Sequence, residues 1–290
     1  MPLKTPDPRT LVGLATLVVS LGVLYAGVVG KLVGDWATDD NYSHGFLIVP
    51  LALYFVWERR ARLREVPTRP TAIGLVVVLL SLGVLVAGTL GAELFLTRVS
   101  LLGVLAGTAL FLWGPGHLRV LAFPLAFLLL MVPIPAIVFN QIAFPLQLLA
   151  SQFGEAALRA MGIPVLREGN VLVLATTSLE VAEACSGIRS LISLVTLGLV
   201  LGYFQSPRWP LPTALALASV PVAVVANGIR VAGTGVAAHY YGAQAAEGFF
   251  HDFSGWMVFL TSLALLMAVQ RLVARVLPAG PRGPVEQPTG

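Results

Sequence analysis

The chain has 290 residues, 57% hydrophobic and only 11% charged, with a formal net charge of +4. A soluble domain of this length carries roughly a quarter charged residues, so the composition excludes an ordinary soluble enzyme and points to helices in lipid. The single cysteine, Cys185, excludes an internal disulfide and a cysteine-rich metal site, and the basic residues sit in short loops, as topology signals do, rather than as a nucleic-acid surface.

Eight apolar segments follow in chain order, near residues 10–29, 45–57, 71–90, 98–113, 119–139, 186–205, 210–229 and 252–274. A spanning helix needs about 20 residues, so the second and fourth are short. The first lacks a small-residue cleavage site and reads as a retained anchor. Orientation follows from the arginines. The loop "ERRARLREVPTRP" holds Arg59, Arg60, Arg62, Arg64 and Arg69 and is expected on the cytoplasmic side. Alternation from there puts both termini inside, and the outer loops then hold most of the acids, from Asp35, Asp39 and Asp40 to Glu247 and Asp252.

The longest stretch outside the spans, about 140–185, is expected on the outer face. "FPLQLLASQFGEAALRAMG" has apolar residues at helical spacing and is predicted to lie along the membrane surface. In "VLREGNVLVL" a Gly-Asn pair between β-prone runs predicts a hairpin. The expected fold is therefore an all-α polytopic membrane protein of about eight transmembrane helices, with a small extracytoplasmic cap made of a surface helix and a β-hairpin. Residues 1–277 form one domain, and "PAGPRGPVEQPTG" reads as a disordered cytoplasmic tail covering residues 278–290.

Three chemically capable side chains stand at one level by counting. From Cys185 to the inner loop, from Arg230 back to that loop, and from His251 to Arg271 each cover about one bilayer. Cys185 and His251 fall at or near helix starts, where the helix dipole favours a thiolate. Each has a plainer reading. A lone cysteine in a membrane helix is usually packing, but Cys185 lies at a span boundary between Glu183 and Arg189. Arg230 is either a snorkelling end-of-helix residue or a functional charge, and His251 either an interfacial residue or an acid–base group. His44 in "NYSHGF" is a reserve candidate. The sequence has no zinc-protease helix motif, no nucleophile elbow and no phosphate-binding loop, and neither a metal nor a cofactor is expected.

"EACSGIRS", "NGIRV" and "HDFSGW", in that order on the last three spans, resemble the exosortase/archaeosortase family, as do "NYSHGFLIVP" and "GIPVLREGN". The histidine at 251 favours the bacterial branch, and the absence of a further domain after the last span favours its stand-alone form. The resemblance implies a cysteine endopeptidase and transpeptidase in the bacterial inner membrane, with its active site on the extracytoplasmic side. Its substrates are exported proteins with a C-terminal sorting tag: a Pro-Glu-Pro type motif, a transmembrane helix and a basic tail. It implies attack by Cys185 to form a thioester, oxyanion stabilisation by Arg230 and proton transfer by His251. Water, an amine or a lipid then accepts the acyl group. Ser186, Arg189, Asn227, Asp252 and His44 are the expected supporting residues. Two rival readings stay open: a transporter with Arg230 and His251 along its path, and a non-catalytic factor for exopolysaccharide assembly.

Overall fold

A computed structural model describes residues 8–175, 177–181, 188–205, 210–242 and 249–276. Two compact units divide the chain, Met1–Pro135 and Ala136–Gly290.

The first unit is all helix: α1 (Pro8–Thr38), α2 (Gly45–Glu58), α3 (Arg60–Glu65), α4 (Ala72–Leu90), α5 (Leu94–Trp113) and α6 (Pro115–Phe127), the last running into a 3-10 turn, Leu128–Met131. Helices α4 and α5 form a tight antiparallel hairpin. Glu93 caps α5 by accepting a hydrogen bond from the Phe95 amide, 3.1 Å away. Glycines bring the two backbones together: a Cβ on Gly74 would lie 2.2 Å from the Phe111 nitrogen, and one on Gly103 2.3 Å from Ser81 Oγ. Lipid tails are as apolar as leucine, so close approach of this kind, rather than a hydrophobic force, holds membrane helices together.

Polar and aromatic contacts attach the other helices. The Tyr25 hydroxyl of α1 meets Ser100 Oγ at 3.1 Å, and the Trp36 indole donates to the Met131 carbonyl at 2.9 Å. Phe55 of α2 packs edge-on against both Phe123 and Phe127, each with ring centroids 5.2 Å apart. Arg59 counts among the loop arginines in the sequence, yet it is only 9% exposed. Its guanidinium donates to the Val120 carbonyl at 2.6 Å and lies over the Phe123 ring, which ties the end of α2 to α6.

An ion pair joins Asp35 of α1 to Arg98 of α5; the arginine side chain is 3% exposed and the carboxylate 38%. That asymmetry predicts unequal mutational costs. Asp35→Ala strands a buried guanidinium and should cost about 3 kcal/mol or more. Arg98→Met leaves a carboxylate that still reaches water, and should cost clearly less. Thermal unfolding of both variants in detergent checks the order; equal losses would mean that the pair is no more than packing.

The second unit begins with α7 (Ala136–Ala160). A three-stranded antiparallel sheet follows, β1 (Val165–Glu168), β2 (Val171–Leu174) and β3 (Ser178–Glu180), in the order β1-β2-β3. The expected hairpin is present: β1 and β2 pair from Val165↔Leu174 to Glu168↔Val171 around Gly169-Asn170. Gly169 takes a φ of +65°, a conformation that favours glycine. The sequence does not announce β3. It is held where the Val181 amide donates to the Asn170 carbonyl at 2.8 Å. Leu172 and Leu174 pack with Leu158 of α7 and with Val231 and Ala238. Glu155 accepts from Arg159 and from Arg167, both at 2.9 Å, so this acid is paired rather than simply solvated.

Helices α8 (Ile188–Gln205), α9 (Pro210–Tyr241) and α10 (Phe249–Val276) complete the unit. Among the described residues six helices are long and apolar enough to cross a membrane, Leu11–Thr38, Ala72–Leu90, Leu94–Trp113, Ala136–Ala160, Pro210–Tyr241 and Gly255–Val273, and three shorter ones are apolar. The protein is thus a helical multi-pass membrane protein with a small sheet.

The boundaries differ from expectation in two places. The segment 119–139 is not one helix: it breaks at Val132–Pro135, where Pro133 and Pro135 cannot continue a helical ladder. The helix expected from about residue 140 therefore starts at Ala136 and runs for 25 residues. Helix α9 does not stop near 229 but continues to Tyr241, which puts Arg230 inside a helix rather than at its end. The expected tail, 278–290, lies outside the described residues.

Candidate functional site

The last three helices pack against one another, α8 on α9, α9 on α10 and α8 on α10. Glycines again allow the closest approach. A Cβ on Gly202 would sit 2.5 Å from the Pro212 Cα, and one on Gly198 2.9 Å from the Leu215 carbonyl oxygen. Ser219 on α9 donates to the Leu194 carbonyl on α8 at 2.9 Å. Leu194, Val222, Ala223 and Leu266 form the apolar centre of the trio.

These contacts fix the register along the helices. Ser219 lies opposite Leu194, and Pro212 opposite Gly202, so α8 and α9 are antiparallel and Ile188, the first residue of α8, falls opposite Val225. Arg230 lies five residues, about 7.5 Å, further along α9 in the same outward direction. Helix α10 runs parallel to α8. Gln270 Nε2 donates to Gln205 Oε1 at 3.1 Å, an offset of 65 residues. That offset sets Ile188 level with Phe253, and the His251 backbone about 3 Å beyond it. The backbones that carry Arg230 and His251 thus stand just past the end of the bundle where α8 begins.

Arg230 is half-buried, and Asn227, one turn earlier on α9, is only 2% exposed. Beside them Gly228 faces Phe153 of α7, where a Cβ would lie 2.5 Å from the ring. Val231 packs over Gly154, and Gly235 over Leu158. Arg230 therefore projects from a helix wedged between neighbours, which limits how far its backbone can shift.

The other expected residues divide by position. Cys185 and Ser186 lie outside the described residues; in sequence Cys185 comes three residues before Ile188. Arg189, His251 and Asp252 have described helical backbones, in α8 and α10, but side chains outside the description. His44 belongs to the first unit, at the residue before α2. Its Nε2 lies 3.0 Å from the Leu130 carbonyl oxygen and donates to it in the neutral ring. Burial pulls its pKa below the ordinary value of 6.5, against the opposite pull of backbone hydrogen bonds with Leu130 and Asn41. The pKa of Tyr42, two residues away, is pushed the other way, above its ordinary value of 10.0, because burial disfavours the phenolate. Among the described residues no cluster of three His, Cys, Asp or Glu side chains has the makings of a metal site.

The pair Asp35–Arg98 is a feature that sequence reasoning passes over. Its one sequence signal is an arginine in the first turns of an apolar helix, with no indication of which acid answers it.

Comparison with known proteins adds one positive finding. The model of the transmembrane exosortase family matches residues 36–268, a stretch that includes Cys185, Arg230 and His251. No curated protein matches the chain, and no solved structure does. A match that runs from Trp36 of α1 into α10 covers well over half of the sequence, and on it the chain belongs to the transmembrane exosortase family.

Proposed function

We propose that this protein is a membrane-embedded cysteine endopeptidase and transpeptidase that processes the C-terminal sorting region of exported proteins. The observation that carries the reading is the alignment of Arg230 and His251 at the end of the bundle where α8 begins. Cys185 precedes that start by three residues, and three residues of chain span at most about 10 Å. A guanidinium and an imidazole carried by two packed helices, with a thiol three residues ahead of a third in sequence, make a constellation suited to acyl transfer.

In the proposed reaction the Cys185 thiolate attacks the scissile carbonyl carbon. A C–S bond forms, the tetrahedral oxyanion is stabilised by the Arg230 guanidinium, and protonated His251 gives its proton to the departing amine as the C–N bond breaks. The neutral imidazole then takes a proton from water, or from an amine or lipid acceptor, whose attack releases the thioester and regenerates the thiolate. Asn227 and Arg189 are proposed to orient Arg230 and the substrate backbone; Ser186 and Asp252 flank the nucleophile and the imidazole in sequence. The arginine bias of the loops supports both termini cytoplasmic and the site outside, and the family resemblance supports a bacterial inner membrane.

The test is intact-mass spectrometry of a co-expressed exported protein that carries a C-terminal sorting tag. With the wild-type chain it should lose the mass of its transmembrane helix and tail, and it should keep that mass when Cys185→Ala replaces the wild type. Equal processing in both strains would remove the nucleophile from the proposal and favour a transporter or an assembly role.

A further inference from the structure

In the first unit a groove of about 740 Å³ opens between α1, α4 and α5. Leu24, Val28, Leu85 and Val86 are among its apolar lining, and Lys31 and Arg98 are the charged residues in it. No carboxylate lines it. The surrounding surface is apolar and exposed: Val23 is 75%, Val86 57% and Leu90 84% accessible. In a multi-pass membrane protein such a surface faces hydrocarbon. A hollow there that stayed empty would forfeit dispersion contacts on one side, which an acyl chain would restore.

The two charges in the lining say which lipid. Lys31 is exposed on a helix otherwise apolar around it. Its neighbour one turn on, Asp35, is taken by Arg98, and among the described residues no ion pair reaches Lys31. Arg98 is itself 3% exposed, and its Nε has no hydrogen-bond partner. The acid between them therefore pairs with Arg98 and not with Lys31, and it does not line the groove. A cation on a lipid-facing helix is satisfied by a headgroup phosphate at the interface. From Lys31 back to Leu24 the groove follows α1 for about 10 Å, enough to hold the upper part of an acyl chain below that phosphate. Of the other acids in the first unit's loops, Glu93 is engaged in capping α5 and Asp39 accepts from the Asn41 amide, and neither lines the groove.

We propose that this groove is a binding site for one phospholipid with an anionic headgroup, its phosphate on Lys31 in the positive field of Arg98 and its acyl chain over Gly27 between α1 and α4. Gly27 supplies the decisive variant. A Cβ added there meets nothing within 4 Å, so Gly27→Leu puts a side chain into the hollow with no clash at its first atom. Lys31→Gln removes the exposed charge and leaves the groove open.

Native mass spectrometry of the purified protein in mild detergent, titrated with phosphatidylglycerol or with phosphatidylcholine of matched chains, reads the outcome. The wild type should retain one phosphatidylglycerol, at least about tenfold more tightly than phosphatidylcholine. Lys31→Gln should erase that preference, and Gly27→Leu should weaken both lipids, with melting temperatures unchanged. The proposal is overturned if the wild type binds the two lipids alike or binds neither. Preference surviving in Lys31→Gln, or undiminished binding in Gly27→Leu, overturns it equally. Should Gly27→Leu unfold, the charge variant decides alone.

Discussion

Cys185→Ser should leave a folded protein whose turnover of a tagged substrate has fallen by a factor on the order of 10³ or more. Serine differs from cysteine by one atom, so packing is nearly preserved, while the hydroxyl is far harder to deprotonate than a thiol and is a poor nucleophile at neutral pH. Cys185→Ala should match it. The two readouts to compare are substrate processing and the melting temperature of the detergent-solubilised variants. Loss of activity with an unchanged melting temperature fits a nucleophile. Loss of both together fits a packing sulfur, and near wild-type processing by either variant contradicts covalent catalysis at this residue. Because Cys185 is the sole cysteine, a thiol-reactive reagent that blocks processing in the wild type can act through no other cysteine of this chain.

Arg230→Lys should fail almost as badly as Arg230→Ala, each losing about 10²–10³ in rate, the usual cost of one oxyanion donor. Lysine keeps the charge but replaces a planar fork of donors with a flexible point charge. The surroundings sharpen the expectation. Arg230 is half-buried on a helix whose neighbouring residues, Gly228 and Val231, are pressed against Phe153 and Gly154, so the backbone cannot shift to aim a lysine of different length. An oxyanion role lowers kcat and kcat/KM together; a substrate-anchoring role raises KM with kcat unchanged. If lysine restores most of the activity, Arg230 acts through charge alone.

The helical membrane fold was legible because it rests on local properties. Spans 71–90 and 98–113 are visible as apolar runs, and the hairpin as Gly-Asn between β-prone residues. The errors have physical reasons. Hydropathy ends a span at an arginine, but α9 continues through Arg230 because its backbone hydrogen bonds are internal and its flanks are packed by α7, α8 and α10. Hydropathy also carried the fifth span past Pro133 and Pro135, where the missing amides outweigh the apolar side chains. Strand β3 has three residues and depends on a partner already in place. The pairing of Asp35 with Arg98 joins residues 63 apart, and no local pattern encodes it. For the candidate site, the residue types and their order were readable from a family resemblance. What the sequence could not supply was the phase between helices, which depends on contacts such as Ser219 with Leu194.

That phase makes length a constrained quantity. With Leu194 bonded to Ser219, Gly198 and Gly202 seated on α9 and Gln205 bonded to Gln270, α8 is clamped at a fixed register against its neighbours. One residue inserted before Gly198 would turn everything ahead of it by about 100° and lift it by about 1.5 Å, so the segment leading into α8 would arrive on a different side of the bundle. Two chains with identical side chains at 185, 230 and 251 but differing by one residue in this helix would present different constellations. The number of residues between the glycine seat and the cysteine is thus as much a part of the candidate site as the cysteine itself.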